Sequence, residues 1–194
     1  MKSKMKAFTF RQFKAVADKI AKKYKFDISS YNDEDFSIHV EGDVEFEYGN
    51  IYKIPIKFRN VSGGFDCSNN SLDSLEGCPE SVGGYFDCSN NLLESLKYCP
   101  RIIGDNFYCF KNYLMSLKYG PKYIVRDYDC DNNELKSLEG APIYVGGDFI
   151  CHNNELVSLE GAPENIKCYW SIEDKYHSYP EYQKYLLVKK IEAL

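Results

Sequence analysis

The stretch F-D-C-S-N-N-L-L-E-S-L-K-Y-C, from Phe86 to Cys99 with Pro100 after it, returns at steps of 21 residues along the chain. Cys67, Cys88, Cys109, Cys130 and Cys151 are equally spaced, and so are Asn70, Asn91, Asn112, Asn133 and Asn154. Two leucine positions keep register in every copy: Leu72, Leu93, Leu114, Leu135 and Leu156, then Leu75, Leu96, Leu117, Leu138 and Leu159. A serine precedes the second leucine each time, and Pro79, Pro100, Pro121, Pro142 and Pro163 close the units. Self-similarity at a fixed period of this size marks a solenoid, in which each turn buries its apolar face only against its neighbours. The chain is read as a repeat protein.

An aromatic side chain stands two residues before each cysteine: Phe65, Phe86, Phe107, Tyr128 and Phe149, with Trp170 placed likewise near the end. Aromatic-x-Cys is period-two alternation, so each copy is predicted to hold a short strand with ring and thiol facing inward. The asparagine three residues after each cysteine is predicted to point inward and satisfy backbone groups left unpaired by the bend. Gly63-Gly64, Gly83-Gly84 and Gly146-Gly147 precede the strand, where a tight bend excludes a Cβ.

Working outward, five full units span 61–81, 82–102, 103–123, 124–144 and 145–165, with a half unit at 166–171. Residues 40–60 read as a degenerate first turn. Val40 takes the aliphatic position held later by Val61, Val82 and Ile103; Val44 and Phe46 take the aromatic and cysteine positions; Ile51 and Ile54 replace the two leucines. Residues 1–39 are read as a basic helix over 9–24 followed by an irregular acidic connector over 26–39. Thr9 and Gln12 have capping-box spacing, Phe8 and Phe13 the spacing of a hydrophobic staple, and Phe10, Phe13, Ala17, Ile20 and Tyr24 form one apolar face. Residues 172–194 are read as a second closing helix, from about 179 to 193, with Ser178 and Glu181 spaced as a capping box and Pro180 in the first turn.

Composition narrows the function classes. The net charge of -5 hides an asymmetry: residues 1–25 carry nine basic side chains against Asp18 alone, a net of +8, leaving -13 for the rest. No window approaches the roughly 18 apolar residues of a membrane span. Arg11 and Lys14 interrupt the apolar run a signal peptide would need. Eight cysteines without a C-x-x-C pair, five of them at one structural position, fit buried thiols in a reducing, cytoplasmic compartment better than disulfides or zinc.

The run F-x-C-x-x-N-x-L-x-S-L-x-G-x-P resembles the leucine-rich repeat over roughly residues 40–171. Its short period and proline-ended second half look like the bacterial type of secreted effectors, and similar arrays occur in tailed-phage and bacterial proteins. One departure is that an aliphatic residue, Val82 in the second full unit, lies nine positions before the asparagine. The resemblance implies an α/β solenoid of about six turns, a curved parallel β-sheet lining a concave face, and extended or 3₁₀ backbone on the convex side.

If ring and thiol face inward, the residues between them face outward on that concave surface. Three columns result: Gly64, Tyr85, Asn106, Asp127, Asp148; then Asp66, Asp87, Tyr108, Asp129, Ile150; then Ser68, Ser89, Phe110, Asp131, His152. They vary between copies while the inward positions do not. Tyr85, Tyr108 and Phe110 are the expected interface anchors, and the surrounding carboxylates predict a basic protein partner and disfavour nucleic acid. The expected partner-binding set is Tyr85, Asp87, Asn106, Tyr108, Phe110, Asp127, Asp129, Asp131, Asp148, Ile150 and His152.

Asp127-x-Asp129-x-Asp131 opens like a calcium loop, but Asn132 and Leu138 stand where that loop needs Gly and Glu, so no metal and no cofactor is expected. With His39, His152 and His177 the only histidines and no accessible nucleophile beside them, no enzymatic activity is expected. The expected function is a non-enzymatic protein-interaction module using the concave face. Two alternatives are an inhibitor encoded by a phage or mobile element that blocks a host defence or nucleic-acid-binding protein, and binding of nucleic acid or an acidic surface through the basic N-terminal helix.

Overall fold

A computed structural model of the chain describes residues 8–157, 161–163, 169–172 and 175–178. It is a β-solenoid of about five turns with parallel sheets and one helix near the N-terminus. Each turn contributes one strand to each of two sheets. The aliphatic sheet comprises β1 (Asp27–Asn32), β2 (Ser37–Glu41), β4 (Lys57–Val61), β6 (Ser81–Val82), β8 (Ile102–Ile103), β10 (Tyr123–Ile124) and β12 (Tyr144–Val145) in that order. The aromatic sheet comprises β3 (Val44–Glu45), β5 (Phe65–Asp66), β7 (Phe86–Asp87), β9 (Phe107–Tyr108), β11 (Tyr128–Asp129) and β13 (Phe149–Ile150). Within these two sheets every pairing is parallel except β1 with β2, and Phe65 meets Phe86, Phe86 meets Phe107 and Tyr128 meets Phe149 in register.

Alternation sends Val61, Val82, Ile103, Ile124 and Val145 inward from one sheet, and the ring and thiol column inward from the other. The rings stack turn on turn, with centroids 5.7 Å apart for Phe65–Phe86 and 6.0 Å for Phe86–Phe107. Between the sheets the paired leucines, from Leu72 and Leu75 to Leu135 and Leu138, are fully buried. Removing such side chains from water contributes about 1.5–3 kcal/mol each. The turns are then tied by the asparagines. Asn91 Nδ2 donates to the carbonyls of Cys67, Cys88 and Ser89, while its Oδ1 accepts from Leu72 N–H, and Asn112, Asn133 and Asn154 repeat the pattern one turn on.

The first turn keeps register despite its different residues. Val44 pairs with Phe65, Phe46 is buried at the cysteine position, and Ile51 N–H is bonded by Asn70 as Leu72 is by Asn91. Helix α1 (Phe10–Tyr24) starts at Thr9 with both halves of the capping box formed. It buries Phe13, Ala17 and Ala21; Phe13 meets Tyr31 and Phe36, and Tyr24 meets Phe46 of this turn edge-on at 4.5 Å.

Two expectations are corrected. Residues 26–39 are no irregular connector: β1 and β2 form an antiparallel hairpin that begins the aliphatic sheet. The acidic run Asp33-Glu34-Asp35 is its turn. Asn32 Oδ1 accepts from Glu34 N–H, Lys57 holds Asp35 at 2.6 Å, and Phe36, at φ 53°, turns its ring towards Phe10 and Phe13. With Lys57 and Ser37 bonded to it, the Asp35 carboxyl is held at about 2. Nor does a single parallel sheet line the solenoid, as expected, but two. The aliphatic column forms a second parallel sheet, because its residues also alternate and bond turn to turn, as Ser62 N–H does to Val40 C=O.

Beyond the solenoid, β14 (Tyr169–Ile172) and β15 (Lys175–Ser178) pair with each other antiparallel. The expected half unit at 166–171 therefore ends inside that ribbon, its residues 166–168 lying outside the described residues. The closing helix expected over 179–193 also lies outside them. No helix among the described residues is long and apolar enough to cross a membrane.

One repeat position carries backbone strain. The residue two after each cysteine adopts the left-handed region, at φ 54° for Asn69, 52° for Asn90, 51° for Asn132 and 48° for Asn153. Asparagine tolerates that region; a lysine does not, yet Lys111 sits there at 51°. The bond from Asn90 Nδ2 to Asn69 Oδ1 also has no counterpart at Lys111. Lys111→Asn is expected to raise stability by about 0.5–1 kcal/mol. Urea unfolding checks this, and no gain would mean that the αL position is not strained.

Candidate functional site

The outer face of the aromatic sheet is built by the residues that alternate with ring and thiol. Glu45, Asp66, Asp87, Tyr108, Asp129 and Ile150 occupy one position on six successive strands and point away from the core. The column before the ring runs Asp43, Gly64, Tyr85, Asn106, Asp127 and Asp148. The spacing is that of parallel strands, so like charges are neighbours at about 4.8 Å.

Much of this polarity has structural employment. Asp66, Asp87 and Asp129 each accept, through Oδ1, the N–H two residues on, closing a small turn beside the cysteine. In the first column each side-chain oxygen accepts the N–H of the next turn: Asp43 from Gly64, Asn106 from Asp127, Asp127 from Asp148. Tyr85 breaks that ladder by laying its ring over Gly64, where a Cβ would stand 2.4 Å from Tyr85 Cε1. A side chain at Gly64 would push that ring aside.

The expected aromatic anchors come together in part. Tyr108 and Phe110 meet edge-on at 6.4 Å, and Tyr85, Tyr108 and Phe110 are half-buried. The third column is less open than expected, for Ser68 and Ser89 are buried while Phe110, Asp131 and His152 are half-exposed. Small hydroxyls tuck under the turn; larger groups stand out of it. Asp148 is exposed, and Asp87, Asn106, Asp127, Asp129 and Ile150 are half-buried on the same face.

The electrostatics of the face are one-sided. The salt bridges among the described residues engage Asp35, Glu80, Asp105, Glu139 and Glu155, and none engages a carboxylate of this face. Burial, with Asp131, Asp87 and Asp127 nearby, pushes the Asp129 carboxyl up to about 6. Burial also raises Asp87, against the hydrogen bonds from Ser89. Tyr85 is pushed up to about 12, first by burial and then by Asp66, Glu45, Asp43 and Asp87. Tyr108 is raised by burial and by Asp127, while burial lowers His152 against the pull of Asp131. Beside the aromatics stands Lys111, whose Nζ lies 5.9 Å from the Phe110 ring.

Among the described residues no group of three or more His, Cys, Asp or Glu side chains is placed to hold a metal ion. Asp127 and Asp129 already spend an oxygen on backbone N–H, and Asp131 accepts from Asn132 Nδ2. The seven described cysteines are buried, and burial holds Cys78, Cys88, Cys99 and Cys109 well above the usual thiol range. Those four are not thiolate nucleophiles. A cavity of about 960 Å³ lies off this face, between Ile54, Phe58, Cys78 and Tyr98. Its rim mixes Lys53 and Arg101 with Asp73 and Glu76, which selects no single ligand chemistry.

The sequence reading missed the outer face of the aliphatic sheet, where Ile102, Tyr123 and Tyr144 stand exposed. The signal was present, since that column changes from Ser81 to Tyr144 while its inward neighbour stays aliphatic. No protein-family model, curated protein or solved structure matches the chain, and its repeat is defined by register and hydrogen bonding alone.

Proposed function

We propose that this protein is a non-enzymatic leucine-rich-repeat module that binds a basic protein partner through the outer face of its aromatic sheet, the concave face in that reading. The observation that carries it is a run of outward carboxylates, none of them in a salt bridge among the described residues, set around Tyr85, Tyr108 and Phe110. Like charges at strand spacing repel, and those of Asp87 and Asp129 are raised by desolvation as well. An arginine- or lysine-rich surface relieves both costs, and rings beside the acids supply the apolar contact. Helix α1 serves as a cap in this reading, because its apolar face is spent on Tyr31, Phe36 and Phe46.

The test is the binding of a fluorescently labelled arginine-rich peptide, followed by anisotropy. Binding that weakens with salt is expected. Tyr108→Ala with Phe110→Ala should lower affinity about 10-fold or more, both side chains being interface anchors, without lowering the unfolding temperature. Unchanged affinity in the double variant removes this face as the binding site.

A further inference from the structure

The outer face of the aliphatic sheet divides into two halves of opposite shape. One column runs through His39, Asn60, Ser81, Ile102, Tyr123 and Tyr144 on successive strands. Its first three side chains are polar and bonded to one another along the sheet: Ser81 Oγ donates to Asn60 Oδ1 at 2.6 Å, and Asn60 Nδ2 lies 3.2 Å from His39 Nδ1. They line a hollow of about 690 Å³, bordered by Ser62, Gly83 and Ile102. The last three are large and solvated, Ile102 at 67%, Tyr123 at 63% and Tyr144 at 48% exposure, with Val125 and Ile143 exposed beside them. Ridge and hollow each span three turns.

We propose that this face binds a second copy of the chain about a two-fold axis parallel to the strands, between β6 and β8. The ridge of each copy then fills the hollow of the other. Reversing the order of turns sets Tyr144 over His39, Tyr123 over Asn60 and Ile102 over Ser81 of the second copy. The fit follows from the repeat: ridge and hollow have the same spacing, about 4.8 Å per strand, in both copies. A two-fold contact of this kind closes on itself, so it ends at a dimer. Charge agrees near the axis, where Glu80 of one copy comes opposite Arg101 of the other. Arg59, which faces Lys122, is held by Asp35 at 3.5 Å. The tyrosine hydroxyls reach amide and imidazole groups, while their rings cover the apolar ridge. The aromatic sheet face stays open, so the dimer stands or falls independently of the proposed partner site.

Sedimentation velocity of the full chain over micromolar concentrations tests the dimer. A dimer is expected for the wild type. Tyr123→Lys with Tyr144→Lys removes the ridge and Ser81→Arg blocks the hollow; each should weaken self-association about 100-fold, the scale of a central anchor. An equal mixture of the two variants should recover a heterodimer, because one intact ridge still meets one intact hollow. Tyr108→Lys, on the other sheet face, should leave the dimer untouched. A monomeric wild type, a dimer that survives the ridge variant, a mixture that stays monomeric, or a dimer broken by Tyr108→Lys overturns the proposal. Should Ser81→Arg fail to fold, Ser62→Arg, at an exposed position of the same hollow, takes its place in the mixture.

Discussion

Replacing Asn112 by Asp is expected to lower stability by about 4 kcal/mol or more at pH 7.5, the scale of a buried charge left without a partner. Asn112 Nδ2 donates to the carbonyls of Cys88, Cys109 and Phe110 at 3.1, 3.2 and 3.3 Å, and its Oδ1 accepts from Leu93 N–H at 3.0 Å. A carboxylate has the same shape but no donor, and it would turn a negative charge onto three oxygens in a buried position. Asn112→Ala loses the bonds without adding the charge and should cost about 2–3 kcal/mol, the desolvation of the groups left unpaired. The two variants separate by pH. Burial raises the folded-state pKa of the introduced acid, so its penalty is absent below the unfolded value of about 3.9 and complete above the folded one. Asn112→Asp should therefore regain stability as the medium is acidified, and Asn112→Ala should not. Asn154→Asp, in the last described turn where the asparagine is half-exposed, should cost less. Urea unfolding at pH 4.5 and 7.5 measures all three, and a loss under about 1 kcal/mol for Asn112→Asp would show that the ladder does not join the turns.

That ladder was legible because asparagine, cysteine and ring recur at one spacing, and a fixed polar residue among fixed apolar ones has few uses besides satisfying backbone. The inward strand faces followed from the same alternation. What escaped was the role of residues that vary. Val82 and its equivalents announced a buried aliphatic position, but it is a single fixed apolar residue per copy, without the ring-x-thiol pair that marks the other strand, so the second sheet went unseen. The acidic run at Asp33–Asp35 looked like a solvated connector. Its order depends on Lys57, more than twenty residues away, and on Phe36 meeting α1. On the proposed binding face, direction was readable and depth was not. Ser68 and Ser89 point the same way as Phe110, yet a hydroxyl is small enough to vanish beneath the turn. The carboxylates' bonds to backbone were likewise invisible, since an aspartate that closes a turn and one that awaits a cation are the same letter.

Asp129→Asn is expected to stabilise the protein at pH 7.5 by about 2 kcal/mol, less than the full conversion of its shift because the carboxyl keeps some contact with water. The cause is burial, reinforced by Asp131, Asp87 and Asp127, which together hold the folded carboxyl at about 6. Below the unfolded value near 3.9 both states are protonated, and Asp129 contributes no penalty. Between 3.9 and 6 the folded state keeps a proton that the unfolded state has released, so stability falls as pH rises, and above 6 the loss is complete. Asparagine keeps the Oδ1 that accepts Asp131 N–H and discards the charge. The gain over wild type should thus be near zero at pH 4, grow through pH 5 to 6 and level off. A gain independent of pH would assign it to packing and leave Asp129 ordinary. Binding should run the other way. A cationic partner held against Asp129 favours the ionised form, so affinity for the arginine-rich peptide should rise with pH through about 6 in the wild type and lose that step in Asp129→Asn. A variant that is more stable and binds more weakly would place the cost of this carboxylate in the free protein and its use in the complex. Equal peptide affinity for both proteins at pH 7.5 would leave the residue as a turn-former alone.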